Sequence, residues 1–96
     1  MLHTLMVSPF QCDVNAMIRL LSAGDDVLLL QDGVIAALEG NSVLEALLNA
    51  PISLFVLQED LAARGLTEQV SANVTVVSYT DFVALAVKNP QQMTWS

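Results

Sequence analysis

A chain of 96 residues with a formal net charge of −7 has only three cations, Arg19, Arg64 and Lys88. That balance argues against direct binding to nucleic acid, whose affinity rests largely on cationic contacts to phosphate. At 54% hydrophobic and 14% charged residues, against roughly 45–50% and about 25% in ordinary soluble domains, the chain holds more apolar side chains than so small a body hides.

Leu2 to Met6 reads as a first strand, followed by a turn at Ser8-Pro9 and by Asp13, a good helix cap. Val14, Met17, Ile18 and Leu21 then recur at the spacing of one helical face, and Gly24 with Asp25 closes that helix. Val27 to Leu30 is an uninterrupted apolar run that stops at Gln31-Asp32-Gly33. Such a run predicts a parallel strand buried on both faces, whose carboxyl end lies on the edge where ligands and partners dock. Gly33 is expected to let the chain turn. Beyond it, Val34 to Leu38 is a short apolar segment ending at Glu39-Gly40-Asn41.

Ser42 is expected to cap a second helix, with Glu45 completing a capping box and Pro51 preventing continuation. Ile52 to Leu57 predicts a third strand, and Gln58-Glu59-Asp60 places acid in the first turn of a helix that Gly65 terminates. Val74 to Val77 predicts a fourth strand. Thr80 and Asp81 open a helix carrying Phe82, Val83, Ala86 and Val87 before Pro90, and Met93 to Trp95 add a short final strand. Alternating strands and helices with short connections predict an α/β fold: a mainly parallel sheet of four to five strands between helices, joined by right-handed crossovers. One domain over 1–96 is expected, burying roughly 60 to 70% of the surface its unfolded chain exposes. The apolar surplus predicts that other subunits cover part of the surface.

One cysteine excludes an internal disulfide, and one cysteine with one histidine excludes the usual zinc spacings. No metal or cofactor is expected, and a reducing cytoplasm fits. There is no basic segment leading into an apolar core with a cleavage site, and no apolar run near the ~18 residues that span a bilayer. The chain is expected to be neither exported nor membrane-spanning.

No phosphate-cradling glycine loop, serine elbow or metal pair is present, and the acids fall at turns and helix starts, where capping explains them. Cys12 is the one nucleophile to weigh for catalysis. It precedes a helix start, on the same edge as Asp32, where a helix dipole lowers a thiol pKa; adjacent Asp13 opposes this. His3 is a poor base for Cys12, because a strand rise of about 3.3 Å per residue places it on the order of 10 Å or more away. His3 is read instead as a strand histidine bonded to a neighbour or facing a partner chain. Met93 and Trp95 are read as interface residues or as core.

Met1-Leu2-His3-Thr4-Leu5 with Ser8-Pro9, Leu29-Leu30-Gln31-Asp32-Gly33-Val34, and Glu59-Asp60-Leu61 with Ala63-Arg64-Gly65-Leu66 occur together here. With Tyr79-Thr80-Asp81-Phe82-Val83 and the ending Pro90-Gln91-Gln92-Met93-Thr94-Trp95-Ser96, the chain resembles the TusB/DsrH family over its whole length. The resemblance implies a flavodoxin-like three-layer sandwich and a place beside C-type and D-type paralogous subunits (TusC and TusD) in a dimer of heterotrimers. In that family, persulfide sulfur passes from a desulfurase through TusA and the complex to TusE and MnmA, which thiolates the wobble uridine of tRNA. The D-type subunit carries the sulfur, and the B-type subunit is mainly structural. Some relatives carry a cysteine within the first helix; Cys12 precedes that helix, so their role does not transfer to it. The leading expectation is a noncatalytic assembly subunit. The alternatives are a sulfurtransferase subunit with Cys12 as persulfide carrier and, more weakly, a small-molecule-binding module.

Overall fold

The computed structural model describes residues 1–95; Ser96, the last residue of the terminal motif, lies outside them. Five strands run in chain order: β1 (Leu2–Leu5), β2 (Asp26–Leu29), β3 (Ser53–Leu57), β4 (Thr75–Val77) and β5 (Gln92–Trp95). Between them lie helices α1 (Val14–Leu20), α2 (Ser42–Leu48), α3 (Gln58–Ala63) and α4 (Tyr79–Lys88), and two 3-10 segments at Gln31–Ala37 and Thr67–Gln69. All the strand pairs are parallel, in the order β4-β3-β2-β1-β5.

Handedness turns this order into layers. From β1 to β4 each strand is laid beside the last in one direction, so right-handed crossovers put every connection on one face. Met17 of α1, Leu44 and Leu47 of α2 and Leu61 of α3 accordingly share one core with Leu5, Val27, Leu29, Leu54 and Val56. The last connection runs the other way, from β4 across the sheet to β5, so α4 lies on the opposite face. There Phe82, Leu85 and Ala86 meet Leu2, Leu28, Leu30, Leu57 and Val77. The sheet is therefore sandwiched, as expected, but unequally: several elements cover one face and a single helix covers the other.

β2 is buried at every position, as its apolar run predicts. Several local expectations change. The cap of α2 is Asn41, whose side chain accepts from the Val43 amide at 2.9 Å, and Ser42 is already helical. The true capping box is at α4: the Ser78 hydroxyl accepts from the Asp81 amide, and the Asp81 carboxylate accepts from the Ser78 amide. The Ser-x-x-Asp spacing was present in the sequence as a signal for it. α1 ends at Leu20, before Gly24, which takes a positive φ of 88° in the turn into β2. Val34 to Leu38 is mostly within the buried 3-10 segment.

Gly33 differs most from its expected role. The positive φ in that turn belongs to Gln31, at 51°, whose amide donates to an Asp60 carboxylate oxygen at 2.6 Å. Gly33 is required because its backbone lies against β1: an added Cβ would collide with the Leu5 carbonyl oxygen and sit 2.8 Å from the carbonyl carbon. That oxygen also accepts from the Leu30 amide at 3.1 Å, so the strand cannot move aside without losing a hydrogen bond. Gly33→Ala is expected to destabilise the chain by about 3 kcal/mol, the upper end of ordinary overpacking costs. Gly24→Ala meets no atom within 4 Å and is expected to cost about 1–2 kcal/mol of backbone strain. Urea denaturation of the two variants beside wild type checks the difference.

Candidate functional site

The carboxyl-terminal edge of the sheet holds Cys12 and Asp32, two of the residues singled out from the sequence. Cys12 lies in the loop between β1 and α1, half-buried, in a groove of about 420 Å³ between α1 and the start of α2. Pro9, Asp13, Ile18, Ser42 and Val43 line the groove with it. Burial pushes the Cys12 thiol above its ordinary pKa, and the Asp13 carboxylate pushes it further in the same direction. The expected help from a helix start does not prevail over burial and the Asp13 charge; the Asp13 carboxylate caps α1, accepting from the Ala16 amide at 3.0 Å. The result is a protonated thiol, a weak nucleophile.

Asp32 is 60% exposed on its side chain, but it is held by a guanidinium from α3: Arg64 donates to one carboxylate oxygen from Nε at 3.1 Å and Nη2 at 3.0 Å. Asp60 receives the Gln31 amide, and Glu59 accepts from the Tyr79 amide at 3.1 Å. Every aspartate in the chain thus has a structural partner, in line with the reading of the acids as caps and surface charge. Among the described residues no cluster of metal-binding side chains occurs, and no buried side-chain nitrogen or oxygen lacks a hydrogen-bond partner.

His3 sits at the opposite end of the sheet, fully buried between two partners that the sequence does not pair with it. The Trp95 indole Nε1–H donates to His3 Nδ1 at 3.2 Å, and His3 Nε2 lies 3.1 Å from Asp25 Oδ2. An indole nitrogen only donates, so Nδ1 is the acceptor and Nε2 carries the proton given to Asp25. Asp25 also accepts from the Ser22 amide at 2.9 Å and pairs with the Met1 ammonium at 3.3 Å. Trp95 is therefore a partly buried core residue, while Met93 is 39% exposed on the outer strand. The 92 residues between His3 and Trp95 hide this pair from any local motif.

The Ser22 amide leads in holding the Asp25 carboxyl below the usual carboxylate range; burial opposes it, and His3 and the Met1 ammonium add to the lowering.

A parallel sheet between helices, with its loops gathered at the carboxyl edge, defines the class as a flavodoxin-like α/β sandwich. The family model described as DsrH like protein matches residues 7–92, and the chain belongs to the DsrH family. It is 72% identical over 95 residues to Protein TusB of Erwinia tasmaniensis, covering 99% of this chain and all of that protein. Protein TusB of Escherichia coli K12 is 59% identical over the same shares. Among solved structures, the ychN protein of Escherichia coli superposes with a TM-score of 0.77 at 15% identity, covering 97% of both chains. Protein Tm0979 of Thermotoga maritima gives 0.68 at 26% identity, over 95% of this chain and 97% of its own.

Because its folded pKa is lowered, Asp25 contributes stability that is complete above its unfolded value of about 3.9 and lost as pH falls through the folded value. Asp25→Asn puts donors against donors at a buried site and is expected to cost about 1–3 kcal/mol at pH 7. The gap from wild type should narrow as pH drops below about 3.9. Thermal melts across pH check both the size and the direction.

Proposed function

We propose that this chain is a noncatalytic structural subunit of a sulfur-relay complex that passes persulfide sulfur toward 2-thiolation of the wobble uridine in tRNA. It acts as one DsrH/TusB-like domain over 1–96, in the cytoplasm, beside C-type and D-type subunits in a heterohexamer that hands sulfur on to TusE. Full-length similarity to proteins named TusB supports the place in the relay. The observation that carries the noncatalytic part is the Cys12 thiol, held in its protonated form by burial and by Asp13. A relay thiol works as a thiolate, and low-pKa cysteines sit in electropositive surroundings. The acidic charge of −7 fits a subunit that never holds tRNA itself, and no described helix is long and apolar enough to cross a membrane.

The groove beside Cys12 favours a second reading, in which Cys12 carries sulfur. Its thiolate would attack the terminal sulfur of a donor persulfide, form the Cys12 persulfide and release the donor thiolate.

The deciding experiment measures 2-thiouridine in tRNA from cells whose sole copy of the gene encodes Cys12→Ser, beside deletion and restored wild type. Thiolation is expected to disappear in the deletion and to stay within about twofold of wild type in Cys12→Ser, since Ser removes only the sulfur. Loss in both, with the mutant complex still assembled, would establish the carrier reading. Thiolation that survives the deletion would overturn the place in the relay.

A further inference from the structure

His3 is the chain's one histidine and Trp95 its one tryptophan, and the hydrogen bond between them occupies the place where His3 would add a proton. Nε2 carries its proton toward Asp25 Oδ2, 3.1 Å away, and Nδ1 accepts from the Trp95 indole at 3.2 Å. A doubly protonated imidazole has two donors and no acceptor. Charging His3 therefore sets an N–H against an N–H at Nδ1. At Nε2 it turns a hydrogen bond between a neutral ring and the Asp25 carboxylate into a full ion pair, the stronger kind of contact. His3 is 1% exposed, so bulk water does not meet the new donor.

Few charged groups surround the ring. Asp25, in the turn before β2, touches it; its carboxyl is held below the usual carboxylate range and stays ionised while histidine titrates. The Met1 ammonium, 3.3 Å from Asp25 Oδ1, shares that carboxylate and opposes a second cation beside it. The neighbouring strands set Val27 and Met93 in register with His3, and Asp26 points to the opposite face. The helices α1 and α2 turn Met17, Leu44 and Leu47 inward, with Asp13, Arg19 and Glu45 exposed. The two partners of His3 are not held equally. Asp25 is fixed by the Ser22 amide as well, whereas Trp95 ends the edge strand β5, which pairs with β1 alone, and its indole is only partly buried. We infer that His3 is a proton-operated catch for the last strand: neutral, it holds the Trp95 indole, and charged, it keeps Asp25 and lets the indole go. The end of β5 is then held by its backbone pairing with β1 and by the Thr94 hydroxyl, 3.1 Å from that of Thr4. The catch does not depend on the relay reading.

The test follows both rings by nuclear magnetic resonance in the full chain, isotope-labelled on histidine and tryptophan, from about pH 8 to about pH 5, where histidine changes charge. Labelling keeps the same signals readable in an assembly with unlabelled subunits. The indole N–H signal is expected to move in step with the His3 ring signals. The nuclear Overhauser contact between the rings, whose centroids are 6.4 Å apart, is expected to vanish at the acid end, with circular dichroism unchanged. In His3→Gln, whose amide donates and accepts but gains no proton in this range, the indole signal is expected to stay constant. A His3 ring that titrates while the indole signal and the contact persist would overturn the catch, as would a ring that stays neutral throughout. Loss of the helical signal in step with His3 would mean unfolding of the whole chain and overturn it too. The same indole shift in His3→Gln would assign the response to another group. If His3→Gln does not fold, the wild-type series decides alone.

Discussion

Two adjacent carboxylates at the head of the buried central strand tie both ends of the chain to it. Asp25 and Asp26 point to opposite faces because strand side chains alternate. Asp25 gathers the Met1 ammonium, the Ser22 amide and His3, and through His3 it fixes the Trp95 indole at the end of β5. Asp26 accepts from Lys88 and from Asn89 Nδ2, at 3.2 and 2.9 Å, and so pins the end of α4. Buried charges persist where hydrogen-bonded partners surround them; Asp25 takes its partners from the first part of the chain and Asp26 from the end of α4. The end of α4 and the Trp95 indole are thereby tied, on opposite faces, to the same end of β2.

The opposite end of the sheet is organised differently. Its polar groups serve local closure: Asp32 with Arg64, Asp60 with the Gln31 amide, Asp13 with the start of α1. Each ties a loop to a helix. Cys12 shares this neighbourhood, and the carboxylate that caps its helix also disfavours its thiolate. Asp13 thus serves both to close this edge and, after burial, to disfavour the Cys12 thiolate, which suits a supporting subunit in the proposed relay.

Part of the apolar surplus in the composition lies on α4. One face of the sheet buries its share under α1, α2, α3 and the 3-10 segment. The other has α4 alone, whose outer row of Tyr79, Val83 and Val87 is largely exposed, Tyr79 setting its ring edge-on to Phe82. Topology produces the imbalance: three steps in one direction send their connections to one face, and only the return step supplies the other.

Local chemistry made much of the fold legible. Val27 to Leu30 could only be a strand covered on both faces, because a run without alternation has no side to offer water. Asp13, Gly65 and Pro51 marked helix limits through caps, a positive φ and a missing amide, all properties of single residues or near neighbours. The acids could be read as caps and surface charge for the same reason, and the unfavourable effect of Asp13 on Cys12 is a matter of adjacent residues. What the tertiary structure alone decided depends on groups far apart in the chain. The placing of β5 beside β1, the Trp95–His3–Asp25 chain and the choice of which apolar side of α4 meets the sheet have no local pattern. Gly33 shows the limit most clearly: its sequence context suggested a flexible turn. Only the approach of the Leu5 carbonyl, 28 residues earlier in the chain, reveals that the missing side chain is needed for space.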